Sequence, residues 1–289
     1  MSPPLPVFID RFSALATDYD VVLCDVWGVV HNGVAAFPAA VDALTRFRGK
    51  GGCVALITNA PRPGQVVAKQ LDVMGVPRQA YDGIVSSGDV TRQVITSRPG
   101  SKLFHLGPPR DRPIFTELGI TPVSLPDAEY VVCSGLFNDD TETAEDYRSL
   151  LESMLSRRLP MVCANPDVVV ERGDRLVYCA GAIADLYASL GGEVIYAGKP
   201  HRPIYERALQ EMARIRGEGA ALARVLAVGD SVRTDLTGAA SLGVDCLFVT
   251  SGIHAEEFGS REDPEVKLLA EVFAAANVMP KAVTRRLVW

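Results

Sequence analysis

Short apolar runs recur along the chain, separated by polar loops and by stretches with helical periodicity. Most runs are almost continuously apolar rather than alternating, which is typical of parallel strands covered on both faces. Nine segments have this character: Val21–Val26, Cys53–Thr58, Gly83–Ser87, Lys102–Leu106, Tyr130–Ser134, Met161–Ala164, Glu193–Ala197, Arg224–Val228 and Asp245–Val249. The pattern therefore predicts nine strands.

Between the runs, apolar residues spaced three or four apart predict amphipathic helices. Four stretches show this spacing: Val41, Leu44 and Phe47; Val67, Leu71 and Met74; Leu150, Leu151 and Met154; and Ile204, Ala208 and Met212. The tail, 264–289, is expected to form one more amphipathic helix and then a basic stretch whose final Trp289 docks on the core. Alternating strands and helices predict an α/β fold with a doubly wound parallel sheet.

The chain of 289 residues is long enough for about two domains. Proline and glycine cluster at 98–100, 107–109 and 191–192, and the segment that they enclose has strands and helices of its own. We therefore expect a core domain built from 1–98 and 192–289, and a second α/β domain inserted at 99–191. No internal repeat or low-complexity segment complicates this division.

The composition of the chain is typical of a globular protein and argues against membrane and nucleic-acid-binding proteins. Hydrophobic residues make up 48% and charged residues 22%, as in ordinary globular proteins. No apolar run approaches the ~18 residues that span a bilayer, and the first residues lack the features of a signal peptide. The net charge of −6 gives no general attraction to nucleic acid. We expect a cytoplasmic protein with no membrane or nucleic-acid partner.

The six cysteines are expected to be reduced thiols in the core. They occur in apolar surroundings, and no C-x-x-C pair or Cys/His cluster suggests zinc. The sequence thus offers no cysteine-based site.

Polar residues follow four of the apolar runs at the point where each strand is expected to end. They are Asp25, Thr58-Asn59, Lys199, and the pair Asp230 and Asp235. In open parallel sheets, ligands bind beyond the carboxyl ends of the strands. Phosphoryl transfer to an aspartate needs such a set: a carboxylate nucleophile, hard oxygen ligands for Mg²⁺, and donors for the phosphoryl oxygens.

Each of these residues alone also fits an ordinary structural role. Asp25 or Asp230 can form a turn, Thr58 can cap a helix, and Lys199 can be a solvated surface lysine. Only their joint occurrence at strand ends favours a catalytic site. A dinucleotide-binding site is disfavoured because no G-x-G-x-x-G follows the first run, and a Walker A loop because Pro200 stands where Ser or Thr would bind the metal.

The same segments resemble the four motifs of the haloacid dehalogenase (HAD) superfamily. They are Val22–Asp25, Thr58-Asn59, Gly198–Pro200 and Gly229–Asp235, the last with the GDxxxTD form. The long stretch between the second and third motifs resembles the type IIA subfamily, which includes pyridoxal phosphate phosphatase and 4-nitrophenyl phosphatase-like proteins. Two further stretches, Ala164–Asp167 and Thr250–Gly252, also resemble that subfamily. The resemblance implies a HAD-like core with a large inserted α/β cap.

The resemblance also implies the role of each motif residue. Asp25 is expected to be the nucleophile and a Mg²⁺ ligand, together with Asp230 and the backbone carbonyl of Trp27. Asp235 is expected to contact the metal directly or through another ligand. Phosphate is expected to be bound by Thr58, Asn59 and Lys199, and Lys199 also counts as catalytic. The expected substrate is a small phosphorylated metabolite; a homodimer is compatible with the sequence, which does not determine the oligomeric state.

One position departs from the family pattern. Family phosphatases carry a second aspartate two residues after the nucleophile, which protonates the leaving group, and here Trp27 stands there. Indole has one N–H donor and no usable base, and loss of a general acid or base costs ~10²–10⁴ in rate. His31 and His201 are the nearest replacements by sequence. In the second motif, Ala60-Pro61 replaces polar residues, and Arg62 can compensate as a phosphate ligand.

Three functions therefore stay open. The first is a Mg²⁺-dependent phosphatase slowed by Trp27, and the second is a phosphate-ligand binding protein on the same scaffold. The third, carbon–halogen hydrolysis, needs no metal, and without one the retained Asp230 and Asp235 would raise the pKa of Asp25. In the cap, Asn138, Asp139, Asn165 and Asp167 are candidate pocket residues, although turns and helix caps use the same types.

Overall fold

All nine predicted runs form strands in the computed structural model, which describes residues 4–172 and 175–289. Three further strands, β7, β8 and β12, were not predicted. The strands are β1 (Val21–Asp25), β2 (Cys53–Thr58), β3 (Gly83–Ser86), β4 (Leu103–Leu106), β5 (Tyr130–Cys133), β6 (Met161–Cys163), β7 (Val169–Arg172), β8 (Arg175–Tyr178), β9 (Val194–Tyr196), β10 (Val225–Gly229), β11 (Asp245–Val249) and β12 (Ala282–Thr284).

Helices occupy the stretches between the strands, including every stretch predicted from periodicity. They are α1 (Pro38–Gly49), α2 (Gly64–Val73), α3 (Ser87–Thr96), α4 (Arg148–Ser156), α5 (Ala180–Ser189), α6 (Arg202–Arg216), α7 (Thr237–Leu242) and α8 (Val266–Ala275). No helix in the described ranges combines the length and the apolarity needed to cross a membrane.

Six strands form one sheet in the order β12-β11-β10-β1-β2-β3. The pairs that β1 makes with β2 and β10 are parallel, as are β10–β11 and β11–β12. The register sets Asp25 opposite Ile57, and Cys24 opposite Val228. The carboxyl ends of β1, β2 and β10 are therefore level, and whatever follows them meets at one edge of the sheet.

A second sheet has four parallel strands in the order β4-β5-β6-β9. Alternate residues point to opposite faces, so Val131 and Val132 enter separate apolar clusters. Strand β9 falls in the range 192–289 that we expected in the core domain, yet it pairs with β6, Met161 lying opposite Val194. Its three residues complete the edge of the second sheet.

The chain divides into two compact units. The core unit comprises the residues up to Thr58, 68–85 and 205–289, and the insert unit comprises 59–67 and 86–204. The predicted insert, 99–191, falls entirely within the insert unit, which also takes in short segments on both sides of that range. The antiparallel hairpin β7–β8 belongs to the insert unit.

The C-terminal segment adds a strand that periodicity did not reveal. Helix α8 lies within the predicted tail helix, but β12 follows it and pairs with β11 at the edge of the six-stranded sheet. The Trp289 ring packs edge-on against Phe12, with ring centroids 5.9 Å apart. The tail thus contacts the core, as expected, through both a strand and an indole.

All six cysteines lie in the described ranges, where each is a buried thiol without a disulfide bond. The prediction of reduced core thiols is confirmed.

Candidate active site

Three acidic side chains converge at the level edge of the six-stranded sheet. Asp25 ends β1, where it is buried and accepts the Val26 N–H at 2.7 Å, and Asp230 directly follows β10. Within the described ranges, Asp25, Asp230 and Asp235 form a group whose ligand oxygens lie within 4.8 Å of one another. Thr58, also buried, ends the neighbouring strand β2. Asp25 and Thr58 thus end their strands and Asp230 follows its strand, and the three acids lie together at this edge.

A π-helical turn, Val232–Leu236, holds the third carboxylate in place. The Ser231 N–H donates to Asp235 Oδ2 at 3.2 Å, and the Asp235 N–H donates back to the Ser231 carbonyl at 3.0 Å. The Tyr205 hydroxyl donates to the Thr234 carbonyl at 3.1 Å. Such turns are rare and occur frequently at functional sites.

Three glycines pack closely against the carboxylates of the acidic group. A Cβ at Gly28 would lie 2.0 Å from Asp230 Oδ2, and one at Gly252 would lie 1.9 Å from the same atom. A Cβ at Gly229 would lie 2.1 Å from Cγ of Asp235. Gly28 also has a φ of +83°, which disfavours any side chain. Backbone thus packs directly against the carboxylates and fixes their positions.

This donor set fits a hard divalent cation. Buried carboxylates so close together repel one another unless protons or a cation compensate their charge. Carboxylate and carbonyl oxygens are the ligands that Mg²⁺ and Ca²⁺ prefer, and the group contains no sulfur or imidazole ligand. Because Gly28 packs on Asp230, the backbone that follows Trp27 lies at the same edge.

Substitution of Gly28 by alanine is expected to weaken divalent-cation binding at least tenfold, because the new Cβ must displace the Asp230 carboxylate. That carboxylate is held on its other side by the Ile253 N–H at 2.9 Å, so it cannot retreat freely. Isothermal titration with Mg²⁺ measures the effect. Gly75→Ala is the matched control, because Gly75 has a φ of +82° and open space around it. Equal affinity in both variants would contradict this account of the packing.

Trp27 lies against its own loop. A Cβ at Gly33 would lie 2.4 Å from a Trp27 ring carbon, and the Trp27 and His31 rings meet edge to face at 5.1 Å. His31 is buried, and its Nδ1 accepts the Gly33 N–H at 2.9 Å. Burial lowers the pKa of His31 to about 4, so the imidazole is neutral near pH 7. This geometry favours a structural role for His31 over that of a replacement acid.

The other candidate acid, His201, belongs to the insert unit. It is exposed and stacks on Tyr196, with ring centroids 4.9 Å apart.

Asn59 holds the backbone of Lys199. Its side-chain oxygen accepts the Lys199 N–H at 2.7 Å, and its amide group donates to the Lys199 carbonyl at 3.2 Å and to Asp167 Oδ1 at 2.9 Å. Both residues are buried, and a Cβ at Gly198 would lie 2.3 Å from the Asn59 oxygen. We did not predict this arrangement from the sequence, because no residue pattern indicates which partners an asparagine side chain will bind.

The candidate pocket residues of the insert have local partners. The side-chain oxygens of Asn138 and Asn165 each accept an N–H from two residues further on, which is the geometry of a turn. Asp139 pairs with two guanidinium groups of the insert, and Asp167 binds Asn59. Asn138 and Asn165 thus have the structural role in turns that is common for asparagine.

Comparisons with known proteins agree with the motifs. Residues 22–121 match the family described as haloacid dehalogenase-like hydrolase, and residues 196–276 match a HAD-hydrolase-like family. The acid sugar phosphatase of Staphylococcus saprophyticus is 26% identical over 247 residues, covering 83% of this chain and 90% of that protein. The ribonucleotide monophosphatase NagD of Escherichia coli K12 is 27% identical over 240 residues, covering 80% and 88%.

A solved structure gives a stronger match. The crystal structure of a haloacid dehalogenase-like hydrolase from Brucella suis 1330 is 45% identical, covers 97% of this chain and 100% of its own, and superposes with a TM-score of 0.87. With its family matches at both ends and this likeness over almost its whole length, the chain belongs to the haloacid dehalogenase-like hydrolases, in the type IIA group that its motifs indicate.

Proposed function

We propose that this hydrolase is a Mg²⁺-dependent phosphatase that cleaves a small phosphomonoester through an aspartyl-phosphate on Asp25. The observation that carries the proposal is the grouping of Asp25, Asp230 and Asp235, all buried, with their oxygens within 4.8 Å of one another. Two curated relatives, an acid sugar phosphatase and a ribonucleotide monophosphatase, act on phosphate esters. Hydrolysis of a phosphate ester is also the reaction for which this group of acids is suited.

In the first step, a carboxylate oxygen of Asp25 attacks phosphorus, a P–O bond forms, and the ester P–O bond breaks. Its electron pair goes to the leaving oxygen, which takes up a proton from solvent water. Water then attacks phosphorus, which releases inorganic phosphate and restores Asp25. When bound to Asp25, Asp230, Asp235 and the Trp27 carbonyl, Mg²⁺ supplies the charge that offsets repulsion between nucleophile and phosphate.

The remaining phosphoryl oxygens are assigned to the Thr58 hydroxyl and the Lys199 ammonium group, which stabilise negative charge at phosphorus. We expected Asn59 to bind phosphate as well. Because its amide group is used by Lys199 and Asp167, our proposal gives that contact to its backbone N–H and gives its side chain the task of positioning Lys199. Asn59 follows Thr58 directly in the chain, which supports a shared site.

The insert, 99–191, is proposed to act as the cap that selects the leaving group. Because Trp27 supplies no transferable proton and His31 is neutral near pH 7, esters with good leaving groups should be cleaved faster than alkyl esters. The same two observations favour the second candidate function, a protein that binds a phosphorylated ligand and turns it over slowly. Carbon–halogen hydrolysis is disfavoured because it needs no metal, and so has no use for Asp230 and Asp235 beside the nucleophile Asp25.

The test is release of inorganic phosphate from a panel of phosphomonoesters, including an aryl ester, with Mg²⁺ and with EDTA. We expect release that needs Mg²⁺ and is fastest for the aryl ester. Release that is equally fast in EDTA would overturn the metal assignment. No release, with Mg²⁺ and a phosphate mimic still binding, would favour the ligand-binding function.

A further inference from the structure

The guanidinium group of Arg62 lacks the partners that a buried cation normally has. Arg62 lies in the loop before α2, and its side chain is 20% exposed. Its Nε is buried without a hydrogen-bond partner. Within the described part of the chain, it faces the Asp111 carboxylate at 3.7 Å, which is too long for a hydrogen bond. An arginine stays protonated and carries five N–H donors, so this one has donors to offer.

Asp111 is not positioned to complete that bond. It is 3% exposed, and its own N–H donates to the Pro108 carbonyl at 3.1 Å. Burial raises the pKa of the Asp111 carboxyl, while Arg62, Arg110 and Ser134 lower it. Ser134, which follows β5, lies 2.8 Å from His105 Nε2. Buried polar groups in native proteins are almost always hydrogen-bonded, and an exception calls for a ligand or another specific cause.

The charges around Arg62 are unbalanced. Arg110 and Arg172 each direct two nitrogens at the carboxylate of Asp139, with shortest distances of 2.5 Å. Burial lowers the pKa of Arg62, the Asp111 carboxylate opposes that change, and the positive charges of Arg110 and Arg172 add to it. Arg172 and Arg175 also approach Asp140, each to 3.6 Å. In this cluster, four guanidiniums thus face the carboxylates of Asp111, Asp139 and Asp140, and one positive charge is left over. An oxyanion would balance it and accept the unused N–H groups.

Arg62 and Lys199 lie near the same edge of the insert unit. Lys199 follows β9, and its backbone is held by Asn59, three residues before Arg62. Three residues of chain span at most about 10 Å. The backbone of Arg62 also packs on Gly88, where an added Cβ would lie 2.5 Å from it. The backbones of Arg62 and Lys199 therefore lie in one neighbourhood, from which two long cationic side chains can extend to a common ligand.

We infer that Arg62 binds a second oxyanion of the substrate, carried by the leaving group, while Lys199 binds the phosphoryl group. This inference rests on the proposed function and names its substrate class: a phosphomonoester with a carboxylate or a second phosphate a few carbons from the ester. The planar guanidinium suits both oxyanions, because it can donate two parallel hydrogen bonds. Binding energy from such a remote group offsets part of the rate lost with the missing acid.

Matched substrates test the inference. Glycerol 3-phosphate and 3-phosphoglycerate share a skeleton and differ in one carboxylate, and glycerol 1,3-bisphosphate supplies the phosphate alternative. We expect kcat/KM to be at least tenfold higher for one of the two charged esters. Arg62→Gln should lower kcat/KM for that ester about 10–100-fold, as charge-assisted hydrogen bonds imply, with a much smaller loss for glycerol 3-phosphate. Arg214→Gln removes an exposed arginine that pairs with Glu211 on the core unit, outside this cluster, and should preserve the preference.

Calorimetry with the Asp25→Asn protein gives a readout that does not depend on turnover. The charged ester should bind more tightly than glycerol 3-phosphate, and Arg62→Gln should remove the difference. Equal losses for the ester with the second oxyanion and for glycerol 3-phosphate, or no preference in the unmodified protein, would overturn the inference. If no ester is hydrolysed at all, the proposed function fails, and the binding comparison still decides the role of Arg62.

Discussion

Replacement of Asp25 by asparagine is expected to abolish phosphate release, with a loss of about 10⁴-fold or more. The amide has no negative charge and is too weak a nucleophile to form the acyl-phosphate bond, and removal of a nucleophile elsewhere costs up to about 10⁶ in kcat. Asparagine matches aspartate in size, and its side-chain oxygen still accepts the Val26 N–H. The fold should therefore survive. Phosphate release under single-turnover conditions, with enzyme in excess, gives the required sensitivity.

Asp72→Asn is the matched control. The chemical change is the same, but Asp72 is exposed and pairs with Arg78 on the surface of the core unit. Its activity should stay within about twofold of the unmodified protein, since exposed ion pairs contribute little. Substantial turnover in Asp25→Asn, beside an unchanged melting temperature, would remove Asp25 from its role as nucleophile.

Replacement of Trp27 by aspartate is expected to raise kcat for alkyl phosphates by about 10²-fold or more, the range that general acid catalysis supplies. The carboxyl group would stand two residues after the nucleophile, where family phosphatases carry their acid. Aryl esters should gain much less, because their leaving groups need no proton. Steady-state kinetics on an alkyl and an aryl ester at one pH measures the difference.

Trp27→Asn separates proton transfer from packing. Both substitutions remove the indole from Gly33 and His31 and leave the same empty space, but only aspartate can transfer a proton. We expect Trp27→Asn to gain nothing for either ester. A similar gain in both variants would mean that the indole limits access to the site. No gain in either would mean that another group already supplies the proton, or that the ester bond is not the one cleaved.

The strands were predictable because a parallel sheet covered on both faces needs continuous apolar runs. All residues of Val21–Asp25 and Val225–Gly229 are buried, so both strands are visible in the sequence as unbroken apolar or small runs. Strand β7 is half-buried and β8 mostly exposed, and their charged residues hide the pattern. Strand β12 has three residues within a basic stretch and is fixed by pairing with β11 rather than by its own composition.

The candidate site likewise has some features that the sequence predicts and others that it does not. The acidic group followed from the sequence, because register places the ends of parallel strands together and Asp25 and Asp230 directly end or follow such strands. The side-chain contacts of Asn59 and Arg62 did not follow, because Asp167 and Asp111, which they approach, are more than 40 residues away along the chain. A π-helical turn around Asp235 likewise has no sequence signature.

The buried cysteines are divided equally between the two units. Cys24, Cys53 and Cys246 lie in the core unit, and Cys133, Cys163 and Cys179 lie in the insert unit. Burial raises the pKa of the Cys53 and Cys133 thiols to about 12. Alkylating reagents attack the thiolate, so these sulfurs react only after the surrounding structure opens. Alkylation of its own cysteines therefore reports the unfolding of each unit separately. Peptide mapping after pulsed alkylation in denaturant would show which unit opens first.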